Sequence, residues 1–368
     1  MKISILQTHL LSTLTSVGKI ISPKAQLPIL QNILLETKGN IFIVAGTNTE
    51  TSIVSKSNAK IEKEGGVCAP AKLLIEFITS LPEGVVEMNA KEGVLVIKSN
   101  GFEATIPCVS KEEFPPLPKH EKTKGAEIPK ELFIRALESV LFAAATDEGR
   151  PILTGVKIQK ADTETLFVAT DGYRLSLKRV GLSMDENVDI TIPARTLSEV
   201  VHIGLGNKED KNIVLKKIED AQLGFFLGET EVYTRILDGE YPNFEKILPK
   251  KYTTKIVLDT EKFLQAVKSA NIFARDNANI IKFFITEGEL TISANTPQVG
   301  QNKVTLGADV DGEGGEISFN SRFVLDFLSH FQEDKLQFEM TGALNPGVFR
   351  STTDDSYLHI IMPVRTTS

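Results

Sequence analysis

The sequence predicts an α+β fold built three times over, as repeated domains that each place two helices on antiparallel sheet. Three observations predict it. Landmarks recur at a single offset: PILQNIL begins at Pro28 and PILTGVK at Pro151, 123 residues on. The same 123 residues separate Thr47 of GTNTETSIV from Thr170 of ATDGYRLSL, and Pro70 of PAKLLIEF from Pro193 of PARTLSEV. A fainter third copy, NSRFVLDF, starts at Asn320, 127 residues beyond Pro193. The period is that of a whole domain, whereas solenoid units repeat every ~20–50 residues. Finally, helical and strand periodicities follow one another in the same order within each copy. The expected domains are 1–124, 125–253 and 254–368.

Each copy opens on a helix: Thr8–Ile20, Pro129–Ala145 and Asp259–Ala274. In the second, Leu132/Phe133, Ala136/Leu137 and Val140/Leu141 form a stripe at 3.6-residue spacing. Pro129 suits a first helical turn and Asp259 an N-cap. Strands follow at Asn40–Thr47, Glu164–Thr170 and Glu289–Asn295, where apolar runs end in polar turns. The second helix is the PAKLLIEF type. Further strands close each copy, ending at FPPLP (Phe114–Pro118), YPNFEKILP (Tyr241–Pro249) and YLHIIMPVR (Tyr357–Arg365). This predicts two helices and about eight strands per copy, joined by KHEKTKGAE near residue 123 and KKYTTK near 252.

Composition is that of a soluble globular chain, 41% hydrophobic and 24% charged, which leaves core material for every copy. No apolar run reaches the length of a bilayer span, and MKISIL leads directly into patterned sequence without a basic-apolar leader. Two cysteines, Cys68 and Cys108, form neither a disulfide framework nor a metal knuckle, so a reducing cytoplasm is expected. The net charge of −7 runs against the basic excess usual in nucleic-acid binders.

The repeated second helix carries a charge pattern: Lys72, Arg195 and Arg322, each followed four residues later by Glu76, Glu199 and Asp326. One such pair reads as an i,i+4 ion pair on a solvated face, worth a few tenths of a kcal/mol. Three equivalent cations read differently. Arranged about an axis, they would make a phosphate-facing surface.

With these residues in view, the chain resembles the bacterial DNA polymerase III β subunit family, the replicative sliding clamps, from end to end. The resemblance rests on LPIL (Leu27–Leu30), PAK…LPEG (Pro70–Gly84), ATDGYRLSL (Ala169–Leu177), DGEYPNFEKILP (Asp238–Pro249) and MPVR (Met362–Arg365), beside the threefold repeat. It implies a non-catalytic processivity factor: a head-to-tail homodimer in which each chain supplies half of a six-domain ring around double-stranded DNA. Helices would line the hole and sheets form the wall. The implied partners are DNA, a second copy of the chain, the DNA polymerase III catalytic subunit, the clamp loader and other proteins bearing a clamp-binding motif. No cofactor, metal or membrane is implied. A ring holds DNA by topology, so an acidic total is compatible with it; many tight ion pairs would impede sliding and add salt sensitivity.

The family carries over residue by residue. Lys72, Arg195 and Arg322, with Arg135 and Lys268 on the first helices, become DNA-facing candidates. Lys24 and Arg150, in the loops before LPIL and PILTG, match positions near DNA at the ring's face. A partner-peptide pocket would draw on Leu153, Thr170, Gly172, Tyr173, Arg174, Leu175, Pro242, Ile247, Ile361, Met362, Pro363, Val364 and Arg365. Without the resemblance, Leu153, Leu175 and Ile361 would read as plain domain core, and MPVR as a frayed tail. Tyr173 stands where the family often has His, and Thr-Thr-Ser extends past Arg365. The dimer contact would use Ile272 and Phe273, near the end of the third copy's first helix, against Ile106 on a facing edge strand, which would also cover an exposed sheet edge.

No enzyme is legible. There is no GxxxxGK[ST]; GLGNK (Gly204–Lys208) follows a helix and reads as its cap and turn. The five histidines are scattered, without HExxH or Cys–His spacing. DVDGEGGE (Asp309–Glu316) lacks the ligand spacing of a calcium loop and reads as an acidic hairpin. The readings that compete with a clamp are a DNA-processing enzyme with dispersed carboxylates, such as a nuclease, and a protein scaffold that never meets DNA.

Overall fold

Each repeat begins with a strand that feeds directly into a helix, because an alternating segment gives way to 3.6-residue spacing without an intervening turn signal. The computed structural model describes residues 1–118, 125–147, 149–182, 184, 188–219, 221–296 and 300–365.

The first repeat runs β1 (Lys2–Leu6), α1 (Gln7–Gly18), β2 (Asn32–Lys38), β3 (Ile41–Thr47), β4 (Thr51–Asn58), β5 (Lys60–Lys63), β6 (Gly65–Pro70), α2 (Ala71–Ser80), β7 (Val85–Lys91), β8 (Val94–Ser99), β9 (Phe102–Pro107) and β10 (Val109–Ser110). The second runs β11 (Ala126–Pro129), α3 (Lys130–Glu138), β12 (Gly155–Ala161), β13 (Glu164–Thr170), β14 (Arg174–Val180), β15 (Asp189–Pro193), α4 (Ala194–Gly206), β16 (Asn212–Glu219), β17 (Gln222–Leu227) and β18 (Thr230–Arg235). The third runs β19 (Thr254–Asp259), α5 (Thr260–Ala274), β20 (Ile280–Thr286), β21 (Glu289–Thr296), β22 (Gly300–Gly307), β23 (Asp309–Gly312), β24 (Gly315–Asn320), α6 (Ser321–His330), β25 (Lys335–Met340), β26 (Gly347–Ser351) and β27 (Tyr357–Ile361). Among the described residues each repeat has two α-helices, as expected. Short β5, β10 and β23 raise the strand number above eight in the first and third.

All strand pairs are antiparallel. One sheet is five-stranded, β5-β1-β7-β8-β9; another is four-stranded, β22-β21-β20-β24. Two nine-stranded sheets run β10-β6-β2-β3-β4-β18-β17-β16-β11 and β15-β12-β13-β14-β27-β26-β25-β19-β23. Each large sheet crosses a repeat boundary, at β4–β18 and at β14–β27. The chain accordingly divides into two compact units, Met1–Glu131 with Arg195–Ile236, and Leu132–Ala194 with Leu237–Ser368. Within the first, the β4–β18 seam is fixed by hydroxyls: Thr51 Oγ1 lies 2.6 Å from Thr196 Oγ1, and Ser55 Oγ 3.1 Å from Thr230 Oγ1. Lys56 also pairs with Glu231 there. In the second unit the core between α5, α6 and the sheets is packed with phenylalanine. Phe283 meets Phe319 and Phe338 edge-on, with centroids 5.3 and 5.9 Å apart.

Three local expectations fail for identifiable reasons. The helix expected over Pro129–Ala145 ends at Glu138, and Leu141–Ala143 form a separate 3-10 turn. Val140 N–H bonds Leu137 O at 3.0 Å, tightening the last turn, and Val140 then leaves helical geometry with φ −125°. Pro129 closes β11 opposite Asn212 instead of entering the helix. The segment expected as an acidic hairpin, Asp309–Glu316, is a crossing between sheets: β23 pairs with β19, and β24 with β20. Gly312 makes the corner at φ +115°, where a Cβ would sit 2.0 Å from Thr253 O. By contrast Asp259 is the cap expected of it, its Oδ1 accepting Lys262 N–H at 2.9 Å. Residues 119–124 of the first linker lie outside the described set.

Candidate functional site

The β13–β14 turn is shaped by its own side chains. Asp171 Oδ1 accepts the N–H groups of Tyr173 and Arg174 at 2.8 and 2.9 Å. Thr170 Oγ1 accepts Gly172 N–H at 3.0 Å and donates to Arg174 O at 2.6 Å. Gly172 sits at φ +91°, a region open to glycine at little cost. Arg150 lies across this turn, donating from Nη2 to Asp171 O at 3.2 Å. The cation assigned by sequence to DNA is therefore brought to the turn that the family resemblance assigns to partner peptides.

Arg174 is a brace. It is 9% exposed, with Nε 3.0 Å from Asp171 Oδ2 and Nη1 2.6 Å from Asp326 Oδ2. Its guanidinium lies 4.7 Å over the Phe323 ring and 5.8 Å from that of Phe142. Asp326, expected to pair with Arg322 along α6, is thus engaged by Arg174. Tyr173 beside it is 64% exposed and stacks on Phe323, ring centroids 6.4 Å apart. Beneath the turn, buried His359 shares a 2.7 Å hydrogen bond between its Nδ1 and Ser176 Oγ, and its ring stacks on Phe327. Burial, then the nearby charges of Arg174 and His330, hold its pKa well below the usual histidine value.

The C-terminal segment is tied down rather than frayed. Arg174 pairs with Ile361 across β14–β27, Met362 N–H donates to Tyr173 O at 2.8 Å, and Val364 N–H to Ser318 O at 2.8 Å. Leu153, Leu175 and Ile361 are core, as expected without the resemblance; Leu153 and Leu175 pack with Tyr241 and Phe244, and Ile361 joins the phenylalanine cluster. Of the residues expected in the pocket, Gly172, Tyr173, Pro242, Ile247, Met362 and Arg365 are exposed, and Pro363 and Val364 are half-buried. Ile247 and Met362 line a cavity of about 530 Å³ with Leu248, Pro249 and Pro346, within the range of ligand pockets. The sequence reading missed those three. Leu248 and Pro249 continue the YPNFEKI segment and could have been read with it; Pro346, in a loop, had no periodic signal. Thr-Thr-Ser after Arg365 lies outside the described residues.

The DNA-facing candidates Lys24, Lys72, Arg135, Arg150, Arg195, Lys268 and Arg322 are all exposed. Lys72 reaches Glu76 at 3.9 Å, the only one of the three expected helix pairs seen among described residues; Glu199 Oε2 is buried without a hydrogen-bond partner. Among the dimer candidates, Ile272 is 58% exposed on α5, and Phe273 packs partly against the phenylalanine core. Ile106 is a correction. At 2% exposure it belongs to its own repeat's core, opposite Leu95, so the edge strand β9 exposes Phe102, Glu103, Thr105 and Pro107 instead. No metal-holding group of three or more His, Cys, Asp or Glu occurs among the described residues, and no helix there is long and apolar enough to cross a membrane.

A helix-on-sheet module repeated three times and fused through shared sheets defines the DNA-clamp class. Family models for the DNA polymerase III beta subunit match its N-terminal domain at residues 1–118, its central domain at 127–243 and its C-terminal domain at 245–365. The chain belongs to the DNA polymerase III beta subunit family. It is 30% identical to the beta sliding clamp of Bacillus subtilis and 28% to that of Staphylococcus aureus, over all of both chains in each case. Among solved structures it is similar to the Bacillus subtilis DNA polymerase sliding clamp (29% identity, TM-score 0.91) and the Thermotoga maritima DNA polymerase III beta subunit (25%, 0.93), again with full coverage of both chains.

Proposed function

We propose that the chain is a processivity clamp: a non-catalytic accessory subunit that closes with a second copy into a six-domain ring on duplex DNA and tethers the replicative polymerase. The observation that carries this reading is the end-to-end match of three successive clamp domains. The domains are taken as 1–124, 125–253 and 254–368. Lys24, Lys72, Arg135, Arg150, Arg195, Lys268 and Arg322 face DNA, and their exposure supports that role. The cleft around Tyr173, Ile247 and Met362 receives a short apolar peptide of the polymerase, the clamp loader or another partner, with Arg174 holding the turn in place. Leu and Phe anchors of the partner supply most of the affinity. Ile272 and Phe273 meet the first domain of the second copy at the β9 edge. The work is cytoplasmic, on the nucleoid at replication forks.

Topology gives the test. Loaded on nicked circular DNA, the protein should stay bound through a salt wash and leave once the circle is cut. Equal loss from circular and linear DNA would overturn the ring reading.

A further inference from the structure

The cleft carries a charge signature that apolar anchoring does not use. The chain has a net charge of −7. Yet the cavity beside Met362 is lined by three lysines, Lys246, Lys250 and Lys251, and by no Asp or Glu. All three are exposed, and among the described residues none takes part in an ion pair. Glu245, adjacent in sequence, is exposed but does not line the cavity. The lysines come from one chain segment, on either side of Ile247–Pro249, so the positive charge is contributed from one side. Pro346 and Met362, from distant segments, add apolar surface.

We propose that Lys246, Lys250 and Lys251 make the cleft select partner peptides whose acidic residues directly flank the apolar anchors. The inference rests on the reading of the cleft as a partner-peptide site and adds the chemistry of the preferred peptide. The lining favours peptide over nucleic acid. Phosphates would satisfy the lysines, but no aromatic side chain lines the cavity for a base to stack on. Ile247, Leu248 and Met362 instead suit aliphatic and aromatic side chains. Each solvent-exposed pair contributes less than about tenfold in affinity and is weakened by salt. Three together should give about tenfold at low ionic strength.

The test uses the full chain and labelled decapeptides sharing a Leu-Phe anchor pair. One carries three Asp or Glu after the anchors, one carries them before, and a control carries the matching Asn or Gln. One acidic peptide should bind about tenfold tighter than the amide control in 50 mM salt, and the gap should close in 500 mM. The triple variant Lys246→Gln, Lys250→Gln, Lys251→Gln should bind acidic and amide peptides equally. Equal binding to the wild-type chain, or a preference that survives in the triple variant, would overturn the proposal. So would displacement of the acidic peptide by an equal concentration of a thymidine decamer. If no peptide binds, the amide control included, the cleft reading itself fails, an outcome distinct from loss of the acidic preference alone.

Discussion

Gly172 shows how much one residue without a side chain holds together. At φ +91° it lets Asp171 collect two backbone N–H groups while Arg150 crosses above. A Cβ there would stand 2.6 Å from Arg150 Nη2. Gly172→Ala is expected to cost about 1–2 kcal/mol of stability, from the left-handed backbone, and to push Arg150 off the turn. Urea midpoints read the first effect and peptide affinity the second. His359 gives a pH prediction. Its pKa is depressed in the folded chain, so the unfolded chain takes up the proton first. Its contribution is complete above the unfolded value of about 6.5 and is lost as pH falls below it, by up to about 1.4 kcal/mol per pH unit. Unfolding free energy measured between pH 7 and 5 should show that slope, and His359→Gln should flatten it. The sequence singled out Arg174 through family resemblance alone. Its actual position, braced between Asp171 and Asp326, depends on a residue 152 positions away.

At the scale of elements, the C-terminal segment is the clearest case of order imposed from outside. MPVR has no periodicity of its own. It is ordered because β27 pairs with β14 and because Tyr173 O and Ser318 O accept its N–H groups. A chain ending at Ile361 keeps β27 but loses Met362 from the cavity. It should remain folded and dimeric while failing to stimulate the polymerase; long products from the truncated chain would remove this segment from the site. The helices follow the same logic in reverse. α5 matches its predicted span because its cap and stripe are both local. α3 stops short where Val140 N–H turns to Leu137 O and Val140 leaves helical geometry, although its stripe continues. Asp309–Glu316 looked like a hairpin because glycines flanked by acids fit a turn. Its two halves instead find partners in different sheets.

At the scale of the molecule, sheets that ignore repeat boundaries make the chain more than three beads on a string. They leave β5 and β9, and β22 and β24, as edges of the two smaller sheets, and strand edges pair readily with another chain. Ile272, exposed on α5, is the cleaner probe of self-association than half-buried Phe273, whose replacement would also disturb the core. Ile272→Asp should leave the monomer's stability unchanged. If the position is covered in the dimer, the buried unpaired charge should weaken association by about 3 kcal/mol, more than 100-fold in Kd. Sedimentation across a dilution series reads this directly, and an unaltered dimer would place Ile272 outside the contact.

The sequence by itself determined the threefold plan, the two helices per repeat and the family. Those follow from local periodicity and from motifs that recur at one offset, and both survive without knowledge of long-range contacts. Only the tertiary structure decided which strands join across repeats, that Arg174 is a brace, that Ile106 is core, and that three lysines gather beside Met362. Each depends on partners brought together from distant segments, and a one-dimensional pattern carries no record of which distant groups will share a boundary.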